Sequence, residues 1–267
     1  MKILVADGVS EKGIEILSKE FECEIRAKLP AEELLATIHE YDGLVVRSAS
    51  KVTKEVIEAA TNLKVIGRAG VGVDNIDIEA ATAKGIIVLN APEGNTIAAT
   101  EHTVAMMLSM ARNIPQAHSS VQNGEWKRNQ FVGVEMRGKT LGVIGLGRIG
   151  SGVAKRAIAF DMKVIGYDPY VNEERAKTMG IEVVSLEEIY ANADFISVHM
   201  PLTAQTKDLI NSETISKMKD GVYLVNCARG GIINEADLAE AVKAGKVAGA
   251  AIDVFPKEPI EPNGPLL

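Results

Sequence analysis

The chain has 267 residues, of which 46% are hydrophobic and 24% are charged, and its formal net charge is −7. This composition is typical of a globular protein, and the length is sufficient for two domains that each bury a core. Because the chain is acidic and has no block of Lys or Arg, and because no apolar run approaches the roughly 20 residues of a membrane span, we expect neither nucleic acid nor a membrane as a partner.

The two cysteines, Cys23 and Cys227, lie far apart and lack the spacing of metal ligands. This usage fits a reducing compartment, so we expect a cytoplasmic protein without a metal site. The first residues, MKILVADG, are interpreted as a strand and not as a secretion signal, because Asp7 interrupts the apolar run and no small-residue cleavage site follows.

Residues 1–93 alternate between short apolar runs and segments with helical periodicity, which predicts a parallel sheet covered by helices. The predicted strands are 3–6, 23–26, 44–47, 64–67 and 86–89, and the predicted helices are 11–19, 31–39, 54–60 and 76–84.

Basic residues follow two strands of this first domain. Arg47 and Ser48 come after the third strand, and the run GRAGVGVD, which contains Arg68, follows the fourth. Successive backbone N–H groups in such a glycine-rich loop can bind an anion, so we expect an anion site here.

A helix predicted over 97–111 is apolar almost all round, and the loop APEGNT precedes it. A helix with so little polar surface is buried, either between domains or against another subunit. We place it at the start of a second domain, residues 94–267, and interpret Glu101 and His102 on it as buried polar groups that are satisfied locally.

The stretch 139–168 combines a buried strand, three glycines in the order G-x-G-x-x-G, a helix, a second strand and an acid. Gly145 is expected to make a tight turn, Gly147 to let a pyrophosphate approach the backbone, and Gly150 to pack the helix on the strand. Asp168, 18 residues after Gly150, can accept hydrogen bonds from an adenosine ribose and repels a 2′-phosphate, which favours NAD over NADP.

The later pattern predicts a doubly wound, Rossmann-type parallel sheet made of two mononucleotide-binding halves. Its further strands are predicted at 181–184, 195–199, 222–226 and 247–254, and its further helices at 186–191 and 235–244.

Ligands of an open parallel sheet lie beyond the carboxyl ends of its strands. Arg229 follows a buried strand and precedes two glycines, so its guanidinium can hold a carboxylate in bidentate geometry and polarise a carbonyl; the alternative is an ion pair at a helix terminus. The same rule selects Asp168, His199, Met200, Pro201, Cys227, Ala228 and Asp253.

The motifs GRAGVGVDNID, NAPEGNT, GKTLGVIGLGRIG, GYDP, VHMPLT, VNCARGGIINE and GAAIDVFPKEP together resemble the D-isomer-specific 2-hydroxyacid dehydrogenases over nearly the whole chain. The resemblance implies an α/β protein: a Rossmann-type NAD-binding domain plus a smaller flavodoxin-like α/β substrate domain. It also implies a homodimer or higher homo-oligomer, formed chiefly through the NAD-binding domain.

The resemblance assigns the site residues by role. Catalytic roles fall on Arg229, which would bind the carboxylate and carbonyl of the substrate, and on Glu258, which would orient a catalytic histidine. The cofactor residues would be Gly145, Gly147, Arg148, Ile149, Gly150, Asp168, Met200, Cys227, Ala228, Arg229 and Asp253. The substrate residues would be Val71 and Gly72 through their backbone, with Arg47, Ser48, Arg68 and Arg128 as candidates for a phosphate, Arg128 coming either from the same chain or from a partner subunit.

The implied reaction is hydride transfer between a phosphorylated 2-hydroxy acid and NAD, with a histidine as general base. The family's catalytic histidine is expected beyond Glu258, and neither it nor the family's closing helix occurs in these 267 residues. We therefore expect a shortened chain that binds NAD but turns over slowly, in which His199 is structural or lines the cofactor. The alternatives are a reductase of glyoxylate or hydroxypyruvate, and a non-catalytic NAD-binding interaction protein.

Overall fold

Parallel strands alternate with helices in both halves of the chain. The computed structural model describes residues 1–267 and divides into two units, Met1–Asn95 and Thr96–Leu267. In each unit all strand pairs of the sheet are parallel.

The first unit is a five-stranded sheet with the order β2-β1-β3-β4-β5. This is the flavodoxin-like order, so the predicted fold of the smaller domain is confirmed. Its elements are β1 (Lys2–Val5), α1 (Glu11–Ser18), β2 (Glu22–Ile25), α2 (Ala31–Thr37), β3 (Gly43–Val46), α3 (Lys54–Ala59), β4 (Val65–Arg68), α4 (Ile78–Ala83) and β5 (Ile87–Asn90), with a 3-10 helix at Ile38–Glu40.

The second unit is a six-stranded sheet with the order β11-β10-β9-β6-β7-β8. Numbered from its own first strand this order is 6-5-4-1-2-3, which is the doubly wound Rossmann order predicted from the sequence. Its elements are α5 (Thr96–Ala111), α6 (Ile114–Gln122), β6 (Thr140–Ile144), α7 (Arg148–Ala159), β7 (Lys163–Tyr167), α8 (Glu173–Thr178), β8 (Glu182–Val183), α9 (Leu186–Asn192), β9 (Phe195–Val198), α10 (Ser212–Ser216), β10 (Val222–Asn226), α11 (Glu235–Lys243) and β11 (Val247–Ile252), with a 3-10 helix at Arg128–Gln130.

Each unit has its own apolar core, because the strands carry side chains that are buried on both faces of the sheet. In the first unit the largest fully buried side chains include Leu4, Tyr41 and Ile66. In the second unit Phe195 stacks on Tyr223, with ring centroids 4.6 Å apart, between neighbouring strands β9 and β10.

Helix α5 packs on α7, β10 and β11 within the second unit. Contact with α7 is close because Gly152 has no side chain: a Cβ there would lie 2.8 Å from the Thr100 hydroxyl oxygen. The expectation that Glu101 and His102 are buried is wrong, because both side chains are exposed.

No helix in either unit is both long and apolar enough to cross a membrane.

Candidate active site

The three glycines of the turn after β6 each meet a different constraint. Gly145 has a φ of 100°, and a Cβ there would lie 2.7 Å from the carbonyl oxygen of His199. A Cβ at Gly150 would lie 1.9 Å from the carbonyl oxygen of Gly145. At Gly147, which caps the N-terminus of α7, a Cβ would have no neighbour within 4 Å. Space is therefore left open at the one glycine where a ligand is expected to approach.

The N-terminus of α7 completes this turn. Arg148 and Ile149 are the first two residues of the helix, where backbone N–H groups lack intrahelical acceptors and can bind an anion. Ser151 fastens the helix to the turn, since its hydroxyl donates to the carbonyl of Leu146 at 2.8 Å.

Asp168 follows β7 and is half-buried beside the glycine turn. One carboxylate oxygen accepts a hydrogen bond from the backbone N–H of Leu146 at 2.8 Å, and the other accepts from Tyr170 N–H at 2.8 Å. Backbone donors therefore fix the carboxylate next to the turn, where a ribose bound over α7 would meet it.

His199 and Met200 follow β9 and are half-buried. The His199 ring nitrogen Nε2 lies 2.8 Å from the Ser197 hydroxyl, and burial lowers the pKa of the ring to about 4. This histidine is neutral at physiological pH and already has a partner within its own strand.

Asn226, at the end of β10, organises the turn that carries Cys227, Ala228 and Arg229. Its side-chain carbonyl accepts from Ala228 N–H at 3.0 Å, and its amide donates to the carbonyl of Arg229 at 2.9 Å. Arg229 in turn donates to the carbonyl of Ala228 at 2.7 Å. The sequence interpretation missed Asn226, although a polar residue at the end of the apolar strand VYLVN is a detectable signal.

The turn with Arg229 and the loop with Glu258 touch through their backbones. A Cβ at Gly230 would lie 2.0 Å from the carbonyl carbon of Phe255 and 2.4 Å from the nitrogen of Pro256. Phe255 N–H donates to Glu258 Oε1 at 3.1 Å, which turns the exposed carboxylate back toward its own loop. The structure thus brings the loops of the two predicted catalytic residues together.

His102, Cys227 and Asp253 meet where α5 passes the ends of β10 and β11. His102 Nε2 lies 3.1 Å from Asp253 Oδ1, and the backbone N–H of Asp253 donates to Asn226 O at 3.0 Å. The pKa of the Cys227 thiol is raised to about 11, chiefly by burial and to a smaller extent by the negative charge of Asp253, against a hydrogen bond with Thr103 that lowers it. His102 was not among the predicted site residues, because helical periodicity alone does not show which face of α5 meets the strand ends.

In the first unit, a buried carboxylate shapes the loop after β3. Asp7 is 3% exposed and accepts hydrogen bonds from Arg47 N–H at 2.5 Å, Ser50 N–H at 3.1 Å and the Ser50 hydroxyl at 2.9 Å. The Asn75 amide closes the loop from the other side by donating to the carbonyls of Arg47 and Ser50 at 2.6 and 2.5 Å. Arg47 and Ser48 are consequently exposed on an ordered loop.

Arg68 ends β4, next to β3, with its Cα paired with that of Val46. Its guanidinium covers Gly70, where a Cβ would overlap it, and the Asn90 amide donates to Val71 O at 2.6 Å. The carboxyl ends of the neighbouring strands β3 and β4 therefore carry the predicted anion-binding residues: Arg47, Arg68 and the half-buried Val71 and Gly72. Arg128, the sixth predicted substrate residue, is exposed in the 3-10 helix of the second unit.

The family model for the NAD-binding domain of D-isomer specific 2-hydroxyacid dehydrogenases matches residues 104–267. The D-3-phosphoglycerate dehydrogenase of Archaeoglobus fulgidus is 55% identical over all of this chain and 51% of its own length. The chain spans about half the length of the curated relatives it matches.

Two solved structures extend the comparison. A glyoxylate reductase from Paecilomyes thermophila has a TM-score of 0.91 and 31% identity over 100% of this chain and 86% of its own. The D-lactate dehydrogenase of Aquifex aeolicus, complexed with NAD and lactic acid, has a TM-score of 0.85 and 34% identity over 97% of this chain and 78% of its own. The chain belongs to the D-isomer specific 2-hydroxyacid dehydrogenase family, and its second unit is the NAD-binding domain of that family.

The residues of the second unit fit a dinucleotide. Open space at Gly147, the exposed N-terminus of α7 and the fixed carboxylate of Asp168 are what a pyrophosphate and an adjoining ribose require. The residues expected to line the nicotinamide half all follow the carboxyl ends of strands β9, β10 and β11. They are Met200, Cys227, Ala228, Arg229 and Asp253.

We expect Gly230→Ala to lower the stability of the second unit by about 1–3 kcal/mol, because its Cβ would overlap the backbone of Phe255. Hydrogen exchange should also become faster at the Phe255 amide, which the displaced loop no longer holds against Glu258. Denaturant unfolding and amide exchange would measure both effects.

Gly147→Ala is the matched control, because its Cβ meets nothing within 4 Å. It should keep the wild-type unfolding midpoint while weakening NADH binding. Equal midpoints for Gly230→Ala and Gly147→Ala would contradict the close contact between the two loops.

Proposed function

We propose that this chain is the cofactor- and substrate-binding part of a dehydrogenase that oxidises 3-phospho-D-glycerate to 3-phosphohydroxypyruvate with NAD. The observation that carries the proposal is the pair of arginines, Arg47 and Arg68, at the same edge of the first sheet, beside a glycine-rich loop. Guanidinium groups and backbone N–H groups are the ordinary ligands of a phosphate and a carboxylate. The name of the Archaeoglobus fulgidus relative agrees with a phosphorylated substrate.

Roles in the reaction follow from the chemistry of the side chains. Arg229 binds the carboxylate and the C2 oxygen of the substrate, and its positive charge stabilises the negative charge that develops on that oxygen. Val71 and Gly72 offer backbone N–H groups to the carboxylate, while Arg47, Ser48, Arg68 and Arg128 bind the phosphate. Glu258 orients an acid–base histidine, as a carboxylate does in a triad. When bound, NAD supplies the hydride acceptor.

His199 does not act as that acid–base group in this scheme. With its pKa lowered to about 4, the ring is a much weaker base than an ordinary imidazole, and its Nε2 already hydrogen-bonds the Ser197 hydroxyl. His199 instead supports the backbone against which Gly145 packs.

The first experiment measures binding, because binding does not depend on the rate of turnover. In the presence of NAD, the chain should bind 3-phospho-D-glycerate at least about tenfold more tightly than D-glycerate, since charge-assisted hydrogen bonds contribute about 1.5–3 kcal/mol each. Each of Arg47→Ala, Arg68→Ala and Arg128→Ala should reduce this ratio in titration calorimetry. NADH oxidation should also favour 3-phosphohydroxypyruvate over hydroxypyruvate and glyoxylate.

Lys54→Ala is the control for the loss of a positive charge in the first unit, because Lys54 pairs with Glu58 at 3.8 Å on the exposed side of α3. It should leave the ratio unchanged. Equal affinity for the two acids in the wild-type chain would reject the phosphate site. It would favour the alternative of a glyoxylate or hydroxypyruvate reductase, which is supported by the similarity to a solved glyoxylate reductase.

Asp168 is proposed to select NAD over NADP. In Asp168→Asn the side-chain oxygen can still accept from Leu146 N–H, but the negative charge that repels a 2′-phosphate is gone. The affinity ratio of NADH to NADPH should therefore fall about tenfold or more, as expected for two charges a few ångströms apart. Fluorescence titration with both cofactors would measure the ratio.

Asp161→Asn removes the same charge elsewhere in the second unit, where Asp161 lies 3.7 Å from Arg137. This variant should keep the wild-type ratio. If Asp168→Asn and Asp161→Asn gave the same ratio, the selectivity assigned to Asp168 would be wrong.

We further propose that the chain forms a homodimer through α6 and the segment that follows it. Large apolar side chains are exposed there: Ile114 is 52% exposed, Val121 57%, Trp126 81% and Val132 77%. So much exposed apolar surface in a short stretch is typical of a protein interface.

The double variant Trp126→Glu with Val132→Asp should sediment as a monomer, because charges on both sides of an apolar interface oppose its burial. Tyr170→Glu changes a side chain that is 94% exposed outside this stretch and should not alter the sedimentation coefficient. A wild-type chain that is monomeric at micromolar concentration would contradict the dimer.

A further inference from the structure

His102, Cys227 and Asp253 form a cluster whose chemistry the dehydrogenase reaction does not require as a set. An imidazole nitrogen, a sulfur and a carboxylate oxygen from these residues all lie within 4.8 Å of one another. The three side chains come from different parts of the second unit: α5, the turn after β10 and the turn after β11. We propose that they form a binding site for a zinc ion.

The donor set fits zinc better than it fits a hard cation. Zn²⁺ binds thiolate sulfur, imidazole nitrogen and carboxylate oxygen in tetrahedral geometry, whereas Mg²⁺ and Ca²⁺ bind oxygen almost exclusively. Three protein ligands leave the fourth position to water. One thiolate and one carboxylate also balance the two positive charges of the ion, so the occupied site is neutral.

The distances agree with this geometry. Zinc bonds of about 2.0–2.2 Å to nitrogen and oxygen, at a tetrahedral angle, place the two ligand atoms about 3.3 Å apart. The observed separation of His102 Nε2 and Asp253 Oδ1 is 3.1 Å. The Cys227 sulfur lies within 4.8 Å of each of these two atoms.

The cluster is also accessible and held in place. The side chains of His102 and Asp253 are 48% and 47% exposed, so an ion and its water ligand can enter from solvent. Cys227 is half-buried beneath them on the turn that Asn226 fixes through Ala228 N–H. On binding, the Cys227 thiol forms the S–Zn bond and releases its proton to solvent.

Occupation of this site by zinc excludes the nicotinamide. Cys227 and Asp253 belong to the strand ends that would line the nicotinamide half of the cofactor, and an ion bridging them fills that space. Zinc and NADH therefore compete, and free zinc inhibits cofactor binding to the NAD-binding domain.

The test uses the reduced 267-residue chain and Zn²⁺ alone, in competition with a chromogenic chelator. We expect one ion per chain, and about a hundredfold or greater loss of affinity in Cys227→Ser and in His102→Ala, since a lost ligand costs at least as much as a lost outer partner. Cys23→Ser and His118→Ala change the same residue types away from the cluster and should bind zinc as the wild type does.

Cobalt provides a second readout that needs no variant. Co²⁺ in the wild-type chain should give the thiolate-to-cobalt charge-transfer band and the visible bands of tetrahedral coordination, and Zn²⁺ should abolish both. Lack of stoichiometric zinc binding, lack of the charge-transfer band, or equal affinity in Cys227→Ser and Cys23→Ser would overturn the site.

NADH titrations test the proposed zinc site and the proposed cofactor site separately. Saturating Zn²⁺ should raise the apparent Kd of NADH in the wild type and leave it unchanged in Cys227→Ser. Zinc bound together with NADH at full affinity would overturn the competition. If the zinc-free chain did not bind NADH, the proposed dinucleotide site would be wrong. The zinc stoichiometry and the cobalt spectrum would still decide whether the zinc site exists.

Discussion

Direct contacts between backbone segments hold together the turns at the carboxyl ends of the strands of the six-stranded sheet. Gly145 lies against the carbonyl of His199, Gly150 against the carbonyl of Gly145, and Gly230 against Phe255. Each contact is closer than any side chain allows, so the turns after β6, β9, β10 and β11 can approach one another only at these glycines. The predicted site residues on the turns after β6, β9, β10 and β11 therefore lie next to these close approaches.

Other loops are held in place by hydrogen bonds from polar side chains that are buried. Asp7, just after β1, accepts hydrogen bonds from N–H groups of the loop after the neighbouring strand β3, and Asn226, at the end of β10, bonds the N–H of Ala228 and the carbonyl of Arg229 in the turn that follows it. Burial makes these bonds costly to lose, since an unsatisfied partner would remain in a dry environment. In both units the arginine of interest therefore starts from a loop whose backbone is fixed: Arg47 in one, Arg229 in the other.

The sequence was sufficient for the parallel strands and most helices of both sheets, because buried parallel strands have continuous apolar runs and the helices between them have clear periodicity. The strand order of the first sheet was implied only by the family resemblance. The sequence was insufficient for short polar elements. Helix α10 has only five residues, too few to show a helical period, and α6 follows Asn113 and has Pro115 in its first turn, two residues that are typical of a loop. Strand β8 has two residues where four were predicted, because it pairs only at the edge of the sheet.

The candidate active site also contains positions that could be predicted from the sequence and positions that could not. The glycine turn, Asp168 and the residues after the strands could be placed from the sequence, since topology alone brings strand ends to one edge. The positions of His102 and Asn226 could not, because contacts between a helix and a distant turn depend on how the helix is rotated about its axis. The functional roles of the predicted site residues remain predictions that the experiments above address.

Asp168 also carries a consequence for engineering. Its carboxylate is a structural acceptor for Leu146 N–H in the glycine turn as well as the group expected to meet the ribose. Exchanging it for a small or basic residue to accept a phosphorylated nucleotide also removes a hydrogen-bond acceptor that holds the loop expected to bind the pyrophosphate. Cofactor preference in this scaffold is thus coupled to loop order, and a successful redesign has to supply a replacement acceptor for that amide along with the new specificity.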